Sequence, residues 1–420
     1  MPIALPLVGG GSGPVAPTVA VVDTTPVDTG QNWLASATNG NSGLSLLMAP
    51  GSFTSGVATY AREADGQQCG RGVSFTAAGV PTFGSELRLF SAGTGHASPV
   101  FLDATTILFV YQDASNLQVK EATLSGTTLG SLSAATNHSV TSGSHGSVPQ
   151  VLKIATDKIL IANPMQTNSL LSLIVFDNSG TPSYGTRVDT PYGQAASNEM
   201  ASLAVDVDND QGFVFMRGTA GAPSNLWGNP FTYNTSTNVV TLGGTYERLG
   251  PLHSVSDGYN FSGNTGVTLG AQEYISTTGG PRIAWAKGSG ASTTERFLFT
   301  HYHSTGAADP GIATTGLETG TAMLLVNAAA RSLVTAGIAA GIDEIVIRPW
   351  AVGVYSAGVP IIVKGTPSIV DASGAGTNKN NGALVQCGSA GTYLFLYADV
   401  ASWTPGGGGS DIMYVRFTAA

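Results

Sequence analysis

Four groups of residues in this chain have types and spacings that could support chemistry. Asp206, Asp208 and Asp210 with Gly212 read D-x-D-x-D-x-G, the alternating oxygen donors of a calcium loop. An EF-hand places glycine sixth and a bidentate Glu twelfth, whereas here glycine is seventh and Arg217 is twelfth, so a solvated hairpin turn fits better. His301 and His303 are one residue apart on an expected strand, so both project to one face and could share a transition metal. No third ligand is visible beside them, and a pair of surface histidines is the simpler reading.

The carboxylates come next. Glycoside hydrolysis needs two of them converging on one pocket, and Asp103, Asp113, Glu121 and Asp399 all lie near the ends of expected strands. Tyr-x-Asp occurs at both Asp113 and Asp399, however, and a motif that recurs reads as a structural signature, since a catalytic residue should be singular. The Asp-box pattern of sialidases is absent, as are G-x-S-x-G, H-E-x-x-H and a phosphate-binding loop. No catalytic residue, resident metal or cofactor is therefore assigned. Trp227, Trp350 and Trp403 stand in or beside Gly/Pro-rich stretches (L-W-G-N-P, R-P-W-A-V-G, S-W-T-P-G-G-G-G). Trp flanked by small polar residues suits a sugar, whose apolar face packs on the ring, and these three are the glycan- or receptor-contact candidates. The competing reading is that they cap the hydrophobic ends of sheets.

Composition excludes several classes. Charged residues are 10 % of 420, and the 17 basic residues are scattered against 26 acidic ones, leaving no basic stripe for nucleic acid. The most membrane-like run, Ala322 to Ile342, is interrupted by Asn327 and Arg331, so membrane insertion is not expected. Cys69 and Cys387 are too few for a disulfide framework; they could form one bridge, but two buried free thiols are the commoner case. The start, M-P-I-A-L-P-L-V-G-G-G-S-G, lacks the basic segment and unbroken apolar run of a secretory signal, so assembly inside a cell is expected.

The elements that must position these residues repeat. The stretch T-I-L-F-V-Y-Q-D from Thr106 returns near the C-terminus as T-Y-L-F-L-Y-A-D from Thr392. Ser-Gly-Thr at Ser125 and at Ser179 each falls between an expected third and fourth strand. From residue 43 onward the chain divides into units of short strands separated by Gly, Asn, Asp, Ser and Pro turns, approximately 43–91, 98–140, 147–190, 199–249, 258–303, 320–370 and 382–420. In the sixth, Ala322 to Ala340 is Ala-rich and reads as strand or helix. The seventh has three strands, and Thr18 to Val22 is a strand without a unit. The arithmetic gives an all-β chain: a seven-bladed β-propeller of four-stranded blades, its last blade completed by residues 18–22, with residues 1–17 as a flexible docking arm. The innermost strands should be the most continuously apolar and the outer ones should alternate.

In composition and repeat style the whole chain resembles virion proteins of tailed bacteriophages, particularly tail-fibre, tail-tip or head-fibre components with a β-rich head on a short arm. The resemblance implies a structural and adhesive protein without enzyme activity, made in the host cytoplasm and carried outside the cell on the particle. It implies contact with other virion proteins through the arm, contact with a host-surface glycan or protein, and a homo-oligomer. A stand-alone lectin-like propeller, a bacterial surface protein and, further off, a glycan-cleaving enzyme are the alternatives.

Overall fold

The computed structural model describes residues 15–33, 44–61, 67–91, 97–113, 116–140, 149–165, 170–190, 201–207, 210–218, 225–243, 247–251, 271–275, 279–288, 296–304, 317–327, 332–340, 344–354, 360–371, 379–399 and 410–420. Within them the chain forms seven antiparallel sheets, six of five strands and one, the fifth, of three. The second shows the plan: Ser98–Phe101, Thr106–Gln112 and Asn116–Ser125 run up and down as neighbours, and two short strands, Thr128–Leu129 and Thr136–Ser139, both pair with the third. The Ala-rich stretch of the sixth unit is strand, not helix. Leu317–Asn327 and Ser332–Ala340 pair antiparallel, because the hairpin neighbours supply what periodicity left open.

Burial follows position in the sheet. Thr106–Gln112, second in its sheet, is buried at every residue after the first, since it has strands on both sides and sheets on both faces. The third strand, Asn116–Ser125, largely alternates. The innermost strand of the third sheet, Gln150–Ala155, is mostly half-buried, so continuous apolar character marks the second strand there rather than the first, as innermost burial would have had it. Tyr60, Tyr111, Asn163 and Tyr397 share one register position in the second strands of the first, second, third and seventh sheets, opposite Cys69, Gln118, Ser172 and Met413. Tyr-x-Asp therefore recurs at equivalent positions of the second and seventh sheets, while Arg62 and Met165 stand in place of the Asp in the first and third.

The outer edge is broken in the same way in the six five-stranded sheets. In the first sheet Val73 to Phe75 pairs with Pro81–Phe83, while the other end of the same strand pairs with Leu87–Phe90. At the break one backbone N–H returns to the middle of the third strand. Gly84 donates to the carbonyl of Gly72 (2.9 Å), Ser133 to Glu121 (2.9 Å), Gly185 to Val175 (2.8 Å) and Gly365 to Pro349 (2.8 Å).

The seventh sheet repeats this bond with a donor from the other end of the chain. Val22 donates to the carbonyl of Arg416 (2.9 Å). Val19–Val21 pairs with Phe417 to Ala419, and Val27–Trp33 pairs with the other half of Ser410–Ala419. One N-terminal strand was expected there; two are present, because the outer edge of these sheets is split. Asp23, at the break, locks the join. Its Oδ2 accepts from the Arg416 backbone N–H and Nε, both at 2.8 Å, and its Oδ1 from the guanidinium at 2.7 Å.

Apolar clusters bind sheet to sheet. One joins Tyr60 and Phe75 of the first to Leu394 and Tyr414 of the seventh; others join first to second, second to third, third to fourth and sixth to seventh. Each fully buried large side chain of this kind contributes about 1.5–3 kcal/mol. The first strand of every sheet lies beside that of the next, and that of the seventh beside that of the first. Outer turns also dock on the preceding sheet. A Cβ on Gly84 would stand 1.8 Å from the Thr127 carbonyl oxygen of the second sheet, so only glycine admits that approach.

Candidate functional site

Asp103 and Asp113 lie at opposite ends of one strand, Thr106–Gln112, with Asp103 in the turn that joins it to Ser98–Phe101. Asp103 accepts from the backbone N–H groups of Thr105 and Thr106, both at 2.7 Å, and from both hydroxyls. These bonds, the Thr105 amide first, hold its carboxyl at about 2, below the usual carboxylate range. Asp113 accepts from the Asn116 N–H (2.6 Å) and Gln118 Nε2 (2.7 Å), capping the next hairpin. Glu121 accepts from Asn178 Nδ2 of the third sheet at 2.6 Å. Asp399 stands in register with Lys379 and Asp411. Three of the four are thus engaged in shaping turns or joining sheets.

Asp103 carries a pH consequence. A depressed folded-state value stabilises the fold above the unfolded value and is lost as pH falls through the folded one. Wild type should therefore lose stability between about pH 4 and pH 2 with a contribution that Asp103→Asn removes, read from acid unfolding curves of the two proteins. Identical acid limbs would show that the turn does not need the charge.

Trp350 is not at the surface. It is a residue of the strand Glu344–Val354, 1 % exposed, and its Nε1 donates to Thr335 Oγ1 at 3.0 Å, with the Arg348 guanidinium 5.8 Å from its ring. An indole enclosed on all sides cannot stack on a sugar, so Trp350 is corrected from contact candidate to core residue. Trp227 belongs to the strand Asn225–Asn234, and Trp403 lies outside the described residues. Asp206 ends the strand Ala201–Asp206, Asp208 lies outside the described residues, and Asp210 is an exposed turn residue at φ 51°. His301 and His303 both lie in Arg296–Ser304. Among the described residues no three His, Cys, Asp or Glu side chains are grouped to hold a metal. Cys69 and Cys387 are buried free thiols of one core cluster, and burial pushes the Cys387 thiol up to about 12.

Two polar constellations were not legible as motifs. In the first sheet the Tyr60 hydroxyl donates to Glu86, Arg71 Nε donates to that hydroxyl at 3.2 Å, and Arg71 reaches the Gly84 carbonyl at 2.9 Å. An acid beside a phenol could in principle activate a nucleophile, but Tyr60 is 0 % exposed and its burial holds the phenol well above its ordinary range. The second lies between the third and fourth sheets. Lys158 Nζ contacts Asp177 Oδ2 at 2.6 Å, the Thr235 carbonyl at 2.6 Å and Asn238 Oδ1 at 2.8 Å. Asn238 Nδ2 donates to the same Asp177 oxygen at 3.0 Å. Their numbers are far apart in sequence, and the one local signal is Asn238 at a turn position where the other described sheets with a positive-φ residue have glycine.

No protein-family model matches the sequence, and no curated protein matches it. Solved structures do. A protein from Lactobacillus plantarum superposes with a TM-score of 0.51 at 12 % identity, over 87 % of this chain and 99 % of its own. A candidate 6-phosphogluconolactonase from Bacteroides uniformis gives 0.50 at 12 %, over 87 % and 94 %. The fold is a β-propeller. The β-propeller domain of the Trilobed protease from Pyrococcus furiosus, at 0.36 and 10 % identity over 84 % and 89 %, is too loosely similar to argue from. At such identities the likeness is one of architecture, and the blades of this propeller have to be read for function on their own residues.

Proposed function

We propose that the chain is a closed seven-bladed propeller that serves as a structural component of a bacteriophage virion, on the tail or head, and contacts the host surface by binding rather than catalysis. The observation that carries the ring is the Val22 bond to Arg416, which reproduces in the seventh blade the bond made within single blades elsewhere. The reading as a scaffold rests on Asp103, Asp113 and Glu121, whose carboxylates are spent on turns and inter-blade bonds. A chain with 10 % charged residues has few ion pairs for salt to screen, which suits a particle exposed to varied media.

Docking through the N-terminal arm is the reading we propose for the chain before the first strand. Ala16 lies beside Gly365, at the outer edge of the sixth blade, and Val15 is 71 % exposed. Anchorage there leaves the two faces of the ring available to a host glycan or protein. Most of the arm, residues 1–14, lies outside the described residues. Electron microscopy of the protein and of particles from its source, with an antibody against the chain, tests the reading. Rings of seven on the particle support it. A free protein absent from particles that binds or cleaves glycans on an array overturns it in favour of a lectin or a glycosidase.

A further inference from the structure

The geometry points to a covalent cross-link: we propose that Lys158 and Asn238 join through an isopeptide bond that ties the third blade to the fourth, with Asp177 as the proton-transferring group. The reaction needs an amine beside a carboxamide and a carboxylate touching both. Here Asp177 Oδ2 accepts from Lys158 Nζ (2.6 Å) and from Asn238 Nδ2 (3.0 Å), and Nζ lies 2.8 Å from Asn238 Oδ1, one bond from the carbon it would attack. Nζ also donates to the Thr235 carbonyl, and the second Asp177 oxygen is fixed by the Ser179 N–H (2.9 Å) and hydroxyl (2.6 Å). Water is largely kept out, since the Lys158 and Asp177 side chains are 17 % and 14 % exposed.

The placement of Asn238 is built rather than incidental. The turns after the third strands of the first three blades carry glycine at positive φ, at Gly79, Gly126 and Gly180. The fourth carries Asn238 at φ 55°, a left-handed conformation that, glycine apart, Asn and Asp enter most readily. Two features press it onto the third blade. A Cβ on Gly185 would stand 2.1 Å from the Asn238 carbonyl oxygen, and Thr186 bridges to Val239.

The step balances without an added reagent. Asp177 takes a proton from the Lys158 ammonium, the freed amine attacks Asn238 Cγ, and the Nζ–Cγ bond forms as Cγ–Nδ2 breaks. A second Nζ proton goes to the departing nitrogen and Asp177 returns its own, so ammonium leaves and the carboxylate is restored. Although burial raises the Asp177 value, the bonds from Lys158, Ser179 and Asn238 outweigh it and hold the carboxyl well below its usual range. The ion pair is thus the resting form, and the cross-link is a slow maturation step.

Intact-mass measurement on the full chain, fresh and after prolonged incubation, with tryptic mapping, tests this. The expected result is a mass lower by one ammonia, a missed cleavage at Lys158 and a branched peptide joining it to Asn238. Lys158→Arg, which keeps the charge, and Asp177→Asn should both stay at full mass. Wild type that remains at full mass with normal cleavage after Lys158 overturns the proposal. So does ammonia loss without the branched peptide, which would mark a succinimide at Asn39-Gly40 or Asn381-Gly382 instead.

Discussion

Arg416→Ala is expected to lower the stability of the chain by about 3–5 kcal/mol, because it leaves the Asp23 carboxylate enclosed without its partner. Asp23 accepts three hydrogen bonds from Arg416, two from the guanidinium group and one from the backbone, and the Asp23 and Arg416 side chains are 8 % and 16 % exposed. The same guanidinium donates to the Ala78 carbonyl of the first blade at 2.9 Å, so the substitution also loosens the seventh blade from the first. Urea unfolding of Arg416→Ala, Asp23→Ala and the double variant checks this. Because the two side chains act as one unit, the double variant should cost little more than either single one. Amide hydrogen exchange should rise first at Val19 to Val21, whose bonds to Phe417 through Ala419 hold the N-terminal edge in place. Additive effects, or unchanged protection of those amides, would show that the strands hold without the lock.

Trp350→Ala should also cost about 3–5 kcal/mol, the range for emptying a large buried aromatic site. The indole is 1 % exposed, and its neighbours Thr335 and Arg348 are themselves 2 % exposed, so nothing nearby can move in from solvent to fill the space. Trp350→Phe keeps most of the volume and loses the Nε1 bond to Thr335, a smaller loss of about 1 kcal/mol. Denaturant midpoints at unchanged slope are the measurement. If Trp350→Ala kept wild-type stability and lost binding to a glycan, the residue would be a contact platform after all and its enclosure in the sixth blade would be refuted.

Several features could be read from the sequence because they depend on near neighbours. Strand and turn alternation made the repeat visible, and the match of Thr106 onward to Thr392 onward is a real equivalence of register, with Tyr111 and Tyr397 at one position. The unpartnered strand near Thr18 pointed to the last sheet for the same reason: a three-stranded unit and a lone strand are each incomplete. Ser-Gly-Thr marked turns whose positive φ favours glycine, at Gly126 and Gly180.

What the sequence determined by itself is the class of fold and the order of its units, since both follow from apolar periodicity and turn chemistry over a few residues. Only the tertiary structure decided that the outer edge of the six five-stranded sheets is split, and hence that two N-terminal strands, not one, pair with the C-terminal strand. Only it decided that Trp350 is core despite its Gly/Pro-rich surroundings, because the burial comes from a neighbouring strand that brings Thr335 beside it. Asp23 with Arg416, and Lys158 with Asp177 and Asn238, are brought together by sheet-on-sheet packing. Distances of that kind are fixed by how blades stack, and no spacing along the chain encodes them.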